Sequence, residues 1–369
     1  MKTAAHPRMF FALSVAAGLL LAPPASLLRA GAAQAAEPSF QGKLVTVVSG
    51  SAAGGTVDAM ARTFVRFVPK YVPGAPKAIV QNVPGAGQLR GAQTAARAKP
   101  DGLTIGIFSP RWMTDYLLGQ PVEGIDFDGI KFVGTYRTEK RVYMACIRRE
   151  VATSWETLKA SGKKMVTGVP EFGGTWDAVW RWLETQNYPV KVVAGYTGEA
   201  ESNFAISRNE LNASAKCQET TAAFPAQYPN WQKNFWAPIF YFGARDLDKE
   251  AHAVVEKMGF PPPPYLWDII PAPAQDLRLA FEVQDVAGTY SSAMFLPPKT
   301  PDEIHQMWLR VFEDVAKDPE FIEAATKSMG MVPQPSNGHV IRQAFTAFIQ
   351  DLEGKGIRDQ VRQRYLEIK

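Results

Sequence analysis

The fold is decided by the stretch LVTVVSGSAAGGTVDAMAR, residues 44–62. The run of β-branched residues at its start predicts a strand, and the small residues that follow predict a flexible turn. From Val57 onward, apolar residues recur at spacings of three and four, which predicts an amphipathic helix. Helix N-termini attract anions, and Gly54 and Gly55 would let a ligand approach the backbone closely. The stretch predicts either an anion site without a basic side chain or a turn that only redirects the chain.

A second glycine-rich turn favours the binding interpretation. The apolar run 78–80 leads into QNVPGAGQ, residues 81–88, and a helix rich in small residues follows. Turns at the carboxyl ends of neighbouring strands in an α/β lobe meet in one crevice. The strand predicted at 103–108 ends at Ser109, which we therefore expect on the same rim. Arg111, close behind it, is a possible carboxylate partner or an ordinary solvated arginine.

The middle of the chain repeats this pattern. A strand at 164–168 precedes Gly173-Gly174-Thr175 and a helix, and a strand at 191–194 ends at Gly195-Tyr196. Trp176 and Trp180 lie four residues apart on that helix, which predicts a shared buried face, with a ligand-pocket role for Trp176 as the alternative.

The C-terminal third predicts structural helices. Thr300-Pro301-Asp302-Glu303 matches a capping box with proline at the first helical position. Apolar residues at helical spacing follow it and include Trp308, which predicts a core face.

Composition limits the class of protein. The chain has 369 residues, of which 46% are hydrophobic and 21% charged, enough for two domains with sizeable cores. Residues 1–35 read as a cleaved secretory signal peptide, with basic Lys2 and Arg8, an apolar run and a small-residue cleavage site. Its removal, Arg29 included, would lower the formal net charge from +4 to +1, which does not favour nucleic acid as a partner.

Catalytic and metal signatures are missing from the sequence. The second turn has Arg90 where a dinucleotide fingerprint needs its third glycine, and neither a P-loop nor a nucleophile elbow occurs. The histidines do not follow a metal-binding spacing. Cys146 and Cys217 could form a disulfide in an exported protein or remain buried free thiols. We predict a protein that is not an enzyme, and an exported α/β hydrolase or transferase is the alternative.

Four segments resemble a known family. AAGGTVDAMAR, NVPGAGQLRGA, AKPDGLTIG and FLPPKTPDEI are similar to motifs of the solute-binding receptors of tripartite tricarboxylate transporters, the Bug family. The similarity is close over residues 44–107 and 295–349. It is looser between them, where Gly195-Tyr196-Thr197-Gly198 fits a divergent subgroup.

The resemblance implies an α/β fold of the two-lobe type II periplasmic-binding-protein architecture, with a ligand cleft between the lobes that closes by a hinge motion. Lobe 1 would comprise residues 36–146 and 288–369, and lobe 2 residues 147–287.

The first-lobe turns would hold a carboxylate through backbone groups and water, while Gly173, Gly174, Thr175 and Tyr196 would close over its far end. The expected ligand-binding residues are Ser51, Ala52, Ala53, Gly54, Gly55, Thr56, Gly85, Ala86, Gly87, Gln88, Ser109, Gly173, Gly174, Thr175 and Tyr196. Asp58 and Arg62 match the family motif, and we expect them to be mainly structural.

The sequence also departs from the family pattern. Residues 49–51 replace a common proline and aromatic residue, and extra residues lie between Asn209 and Pro273. The expected ligand is a dicarboxylate or an aromatic carboxylate.

The resemblance implies a periplasmic location, no cofactor, and a transporter of one small and one large integral-membrane subunit as partner. We expect the receptor to be a monomer. A module that senses the ligand for a membrane kinase is a third possibility.

Overall fold

The computed structural model describes residues 38–368, apart from 109–110, 139–141, 170–176, 197–198, 219–234, 244, 246–247, 258, 271–275 and 330–331. Its strands are β1 Leu44–Ser49, β2 Lys77–Asn82, β3 Thr104–Phe108, β4 Lys131–Thr135, β5 Arg137–Thr138, β6 Val142–Arg148, β7 Met165–Val169, β8 Val190–Ala194, β9 Ala213–Gln218, β10 Trp236–Gly243, β11 Tyr290–Ser291, β12 Ala293–Leu296 and β13 Ser336–Asn337.

The helices separate these strands along the chain. They are α1 Thr56–Val65, α2 Val68–Tyr71, α3 Leu89–Ala96, α4 Arg111–Leu117, α5 Trp155–Ser161, α6 Asp177–Thr185, α7 Glu199–Ser207, α8 Asp248–Lys257, α9 Leu266–Ile269, α10 Asp276–Thr289, α11 Asp302–Lys317, α12 Pro319–Met329, α13 Gly338–Gly354 and α14 Arg358–Ile368. In the described part of the chain, none of these helices combines the length and apolarity needed to cross a membrane.

A mixed six-stranded sheet organises both ends of the chain. Its strand order is β13-β4-β12-β3-β1-β2. Strand β1 lies between β2 and β3 and is parallel to both, while β12 is antiparallel to β3 and β4. The carboxyl ends of β1, β2 and β3 therefore meet at one edge of the sheet, as predicted for the two glycine-rich turns.

Helices cover both faces of this sheet. Val45 and Val47 of β1 point into a core that includes Phe64 of α1 and Trp308 of α11. Val48 points to the other face, where the core includes Ala92 of α3 and residues of α4 and α13. Alternation along one strand thus places neighbouring valines in two separate cores.

The first helix ends earlier than the apolar pattern suggests. The pattern predicts a continuous buried face through Phe67 and Val68, and both side chains are buried. However, α1 ends at Val65, and a separate turn, α2, begins at Val68 with Pro69 in its first turn. Proline has no N–H to continue the α-helical hydrogen bonds, so the helix restarts there.

The predicted capping box at Thr300 is wrong. Helix α11 begins at Asp302 with Pro301 as its N-cap, and no side chain caps it. The Thr300 hydroxyl instead donates to the Pro297 carbonyl at 2.7 Å. Trp308 is fully buried, as predicted, and its indole N–H donates to the Gly102 carbonyl at 3.0 Å.

The middle of the chain forms smaller sheets. Strands β10, β6 and β9 pair in that order and are antiparallel, and β7 is parallel to β8. Cys146 of β6 and Cys217 of β9 are joined by a disulfide, with their Cα atoms 5.7 Å apart. Trp180 of α6 is fully buried in the core, whereas Trp176 lies outside the described residues.

The proline run 261–264 protects a sheet edge. The Tyr241 N–H of edge strand β10 donates to the Pro264 carbonyl at 3.0 Å, and Tyr241 and Tyr265 form an isolated parallel bridge. Prolines lack the donors that would pair with a further strand, so this segment blunts an exposed edge.

Candidate functional site

The two glycine-rich turns lie against each other at the end of the sheet. A methyl group on Gly50 would lie 2.6 Å from Cβ of Gln88, and one on Gly91 would lie 2.7 Å from Cα of Gly50. Only glycine at positions 50 and 91 allows this approach, since real Cβ atoms do not come so close. The structure therefore brings Gly50, where the first turn begins after β1, against Gln88, where the second turn ends after β2.

The first turn presents its backbone to solvent. Ala52, Ala53 and Gly54 are exposed, whereas Ser51 and Gly55 are half-buried. Thr56 begins α1, so this turn leads directly into a helix N-terminus. The first N–H groups of a helix have no intrahelical partner and carry partial positive charge.

Ser51, which precedes the helix, caps its first turn. Its hydroxyl accepts the Asp58 N–H at 3.1 Å and lies 3.2 Å from the Ser49 hydroxyl. The N-cap residue itself, Gly55, has no side chain to do this. A serine at position 51 therefore fixes the turn relative to α1.

A buried carboxylate lies directly beneath the first turn. Asp58 Oδ2 accepts the Gly54 N–H and Arg62 Nε, both at 2.8 Å. Asp58 Oδ1 accepts Asn82 Nδ2 at 2.7 Å. Burial raises the pKa of Asp58, but the hydrogen bonds from Arg62, Gly54 and Asn82 outweigh it, so its pKa lies below the usual value. Asp58 is therefore an ionised carboxylate, and the adjacent Arg62 guanidinium balances its charge.

The second turn has an unusual backbone. Gly85, Ala86, Gly87 and Gln88 have φ angles of +124°, +47°, +57° and +76°. Side-chain-bearing residues avoid this region at a cost of roughly 1–2 kcal/mol each, so Ala86 and Gln88 store strain. Backbone N–H groups in turns can line a concavity that binds anions. Gly85 and Ala86 are exposed, and α4 packs beside this turn.

The remaining expected site residues divide into two groups. Ser109, Gly173, Gly174 and Thr175 lie outside the described residues, so their place in the site stays a prediction. Tyr196 is described and half-buried. A methyl group on Gly168 would lie 2.6 Å from the Tyr196 ring and 2.8 Å from Leu211, so this ring packs across β7. This packing accounts for the ring position, and a ligand role for Tyr196 also stays a prediction.

Asn82 is the polar residue at this site that the sequence pattern did not single out. It is the last residue of β2, and its side chain also donates to the Ser51 carbonyl at 3.0 Å. The sequence feature that could have identified Asn82 is an amide side chain at the end of a strand, directly before a glycine-rich turn. Its partners are 24 and 31 residues away in sequence, so local reasoning could not identify them.

The arrangement suits an oxygen anion better than a metal ion. It offers backbone N–H donors and a helix N-terminus, and the carboxylate of Asp58 is already occupied by three donors. Across the described residues, no group of three or more His, Cys, Asp or Glu side chains is placed to hold a metal ion.

Comparison with known proteins identifies the fold. Neither a protein-family model nor a curated protein sequence matches the chain. Solved structures match over most of their length. The periplasmic binding protein BugD is 17% identical, covers 85% of this chain and 98% of its own, and gives a TM-score of 0.54. MatC from Rhodopseudomonas palustris with bound malate is 16% identical, with coverages of 86% and 98% and a TM-score of 0.56.

A third structure, Rpa4515 from R. palustris with adipate, is 17% identical, covers 87% of this chain and 97% of its own, and gives a TM-score of 0.55. At these identities the similarity establishes a shared fold. The chain has the α/β periplasmic-binding-protein fold, which confirms the predicted fold class. The resemblance to the Bug family is confirmed at the level of this fold.

Proposed function

We propose that this chain is a periplasmic solute-binding receptor of the Bug family that captures a small carboxylate. The observation that carries the proposal is the contact between two glycine-rich turns at the carboxyl ends of adjacent parallel strands. One turn leads into a helix N-terminus, and the other is a run of left-handed residues. Both features favour an anion bound by backbone N–H groups.

The comparisons support the ligand class. Two of the structures that share this fold contain a dicarboxylate, malate in one and adipate in the other. A dicarboxylate would place one carboxylate on residues 51–56 and 85–88. Ser109 would lie on the same rim as these turns, and the far end of the ligand would meet Gly173–Thr175 and Tyr196, which would set specificity. An aromatic carboxylate would use the same turns.

The ligand lies between two lobes that close on it. Lobe 1 comprises residues 36–146 and 288–369, and lobe 2 residues 147–287. The antiparallel pairing of β5 with β11 supports this division, because these short strands lie where the chain leaves the first sheet and where it returns. Two paired crossing segments form a hinge of the kind that allows domain closure.

Delivery to the membrane completes the proposed role. The signal peptide at residues 1–35 directs export, and the closed, loaded receptor docks on a transporter of the tripartite tricarboxylate type. This step rests on the family resemblance, and co-purification of the receptor with the two integral-membrane subunits tests it.

A thermal-shift screen of the mature protein tests the ligand class. The panel contains malate, adipate, succinate and benzoate, with the matching amides as neutral controls. A ligand present at about 100 times its Kd stabilises the protein by roughly 2.7 kcal/mol, which is readily measured. Stabilisation by a carboxylate and not by its amide supports the proposal. Folded protein that responds to none of the carboxylates contradicts it. Recovery of the bound carboxylate unchanged distinguishes a receptor from a hydrolase or transferase.

A matched pair of variants then locates the site. Ala53 is exposed in the first turn, and a side chain added there leaves the core untouched. Ala53→Glu places a negative charge beside the proposed carboxylate position and is expected to weaken binding by about tenfold or more, whereas Ala53→Gln adds the same bulk without charge. Equal affinities for the two variants would place the anion site elsewhere.

A further inference from the structure

The exposed first turn is held by polar contacts. Residues 52–54 are exposed, and a Cβ on Gly54 would have open space around it, so packing does not fix this segment. Gly54 has φ +84°, a conformation that glycine adopts freely along with many others. Its N–H donates to Asp58 Oδ2 at 2.8 Å, and this bond selects one conformation of the turn.

Asn82 connects all parts of this arrangement. Its Nδ2 donates to Asp58 Oδ1 at 2.7 Å and to the Ser51 carbonyl at 3.0 Å. Its Oδ1 accepts Arg62 Nη2 at 3.1 Å, which fixes which way the amide faces. One side chain at the end of β2 therefore binds the beginning of the first turn, the carboxylate below it and the cation that balances that carboxylate.

We propose that Asn82 is a positioning residue for anion binding: it holds Ser51 and Asp58, and with them the first turn and the start of α1, in the conformation that binds the ligand. This inference rests on the proposed carboxylate-binding function. Asn82 does not touch the ligand and acts through Asp58 and Ser51. A neutral amide is suited to this place, because it donates to a carboxylate without adding a charge near a second anion.

Asn82→Asp is the decisive variant because it has nearly the same shape. When ionised, the new carboxylate faces Asp58 and repels it, and it has no proton to donate to the Ser51 carbonyl. When protonated, it can donate one hydrogen bond again. Asp58 and Arg62 are the charged groups that the described residues place in contact with position 82. A neighbouring carboxylate favours the protonated form, so the variant regains its donor as the pH is lowered.

The measurement is the Kd for malate by calorimetry, or for adipate if malate does not bind, for variant and wild type at the same pH. The ratio of the two Kd values cancels the titration of the ligand itself. We expect the variant to bind about tenfold or more weakly near pH 8, and this ratio to fall toward one near pH 4.5. A ratio near one at every pH overturns the inference and leaves the proposed function intact.

A further variant distinguishes positioning of the turn from simple repulsion of the ligand. Gln81→Glu adds the same charge to the neighbouring, exposed residue of β2, and its ratio is expected to stay near one. An equal loss in Gln81→Glu would mean general repulsion of the ligand and would overturn a positioning role.

If Asn82→Asp does not fold, Arg62→Met serves instead. The Arg62 side chain is 55% exposed, so its loss spares the core, and it releases Asp58 Oδ2 and the Asn82 amide together. Arg62→Met is expected to weaken binding severalfold, and wild-type affinity would overturn the inference.

A readout without ligand separates this inference from the proposed function. The Gly54 amide proton is bonded to Asp58 in the wild type, so its hydrogen exchange reports the position of the turn. Faster exchange at Gly54 in Asn82→Asp near pH 8, relative to wild type, supports the positioning role even if no carboxylate binds. Unchanged exchange overturns it, whatever the ligand screen shows.

Discussion

Asp58 places a negative charge under a site proposed for anions, and its surroundings explain how both can coexist. Three donors occupy its two oxygens, and one of them is the guanidinium of Arg62. Asp58 and Arg62 together carry almost no net charge, so they organise the turn without repelling a carboxylate above it. The sequence predicts a mainly structural role for Asp58. The structure adds a local bond from Gly54 and a bond from Asn82, and the second depends on the pairing of β1 with β2.

Strain at Ala86 leads to a prediction about stability. Its φ of +47° costs a residue with a Cβ roughly 1–2 kcal/mol, whereas glycine adopts this angle freely but gains entropy when unfolded. Ala86→Gly is therefore expected to raise the free energy of unfolding by about 0.5–1 kcal/mol, measured by urea denaturation.

The control for this prediction is Ala53→Gly in the first turn. Ala53 is equally exposed but is not among the residues with positive φ. The same substitution there is expected to lower the free energy of unfolding, since glycine only increases the freedom of the unfolded chain. A loss of stability in Ala86→Gly like that in Ala53→Gly would show that the left-handed turn is not strained at this position.

Among the elements, those set by local pattern agree with the sequence predictions. Strand β1, the start of helix α1 and the buried face of α11 follow from β-branched runs and helical spacing within a few residues. The capping box at Thr300 fails because the helix begins at Asp302 with Pro301 as its N-cap. The Thr300 hydroxyl donates to the Pro297 carbonyl instead. The left-handed turn at residues 85–88 could not be predicted in detail, because alanine and glutamine rarely adopt it.

The corner around Asp318 gives a prediction of pH dependence. Its buried carboxylate accepts Lys70 Nζ at 2.7 Å, the Tyr71 hydroxyl at 2.8 Å and the Glu320 N–H at 2.9 Å, and so joins α2 to the start of α12. The hydrogen bond from Lys70 is the main cause that holds the pKa of Asp318 below its usual value. A carboxylate with a lowered pKa in the folded state stabilises the protein above its unfolded-state pKa, and this contribution is lost as the pH falls below that value.

Asp318→Asn should therefore lower the free energy of unfolding near neutral pH, by about 1–3 kcal/mol for a buried charge-assisted group. The difference from wild type should shrink as the pH falls below about 4, because Asp318 of the unfolded chain takes up a proton there, whereas the folded carboxylate does so only at lower pH. Chemical denaturation across this pH range measures both quantities. Asp314→Asn, which removes a 56% exposed carboxylate 3.6 Å from Lys317, is the control and should change little. If the difference in the free energy of unfolding between Asp318→Asn and wild type does not change with pH, the stabilisation does not come from an ionised Asp318.

At the scale of the whole molecule, the C-terminal helix joins parts of the chain that are distant in sequence. The C-terminal helix α14 packs against α10 and against α6, and its residues Val361 and Tyr365 are buried. The apolar spacing of a helix shows that one face is buried but does not say which element covers it. The sequence therefore predicted a C-terminal structural helix and could not predict its contact with α6, which lies within the range proposed for lobe 2.

Because α14 contacts α6, closure of the lobes should involve this contact as well as the paired strands β5 and β11. We predict that a saturating carboxylate lowers the radius of gyration of the mature protein, measured by small-angle X-ray scattering, since binding energy drives the closed state. At a ligand concentration near the wild-type Kd, Ala53→Glu should contract much less than the wild type, and Ala53→Gln should contract like the wild type. A ligand that binds with full thermal stabilisation but leaves the radius unchanged would show that the site forms within one lobe, on the two glycine-rich turns alone.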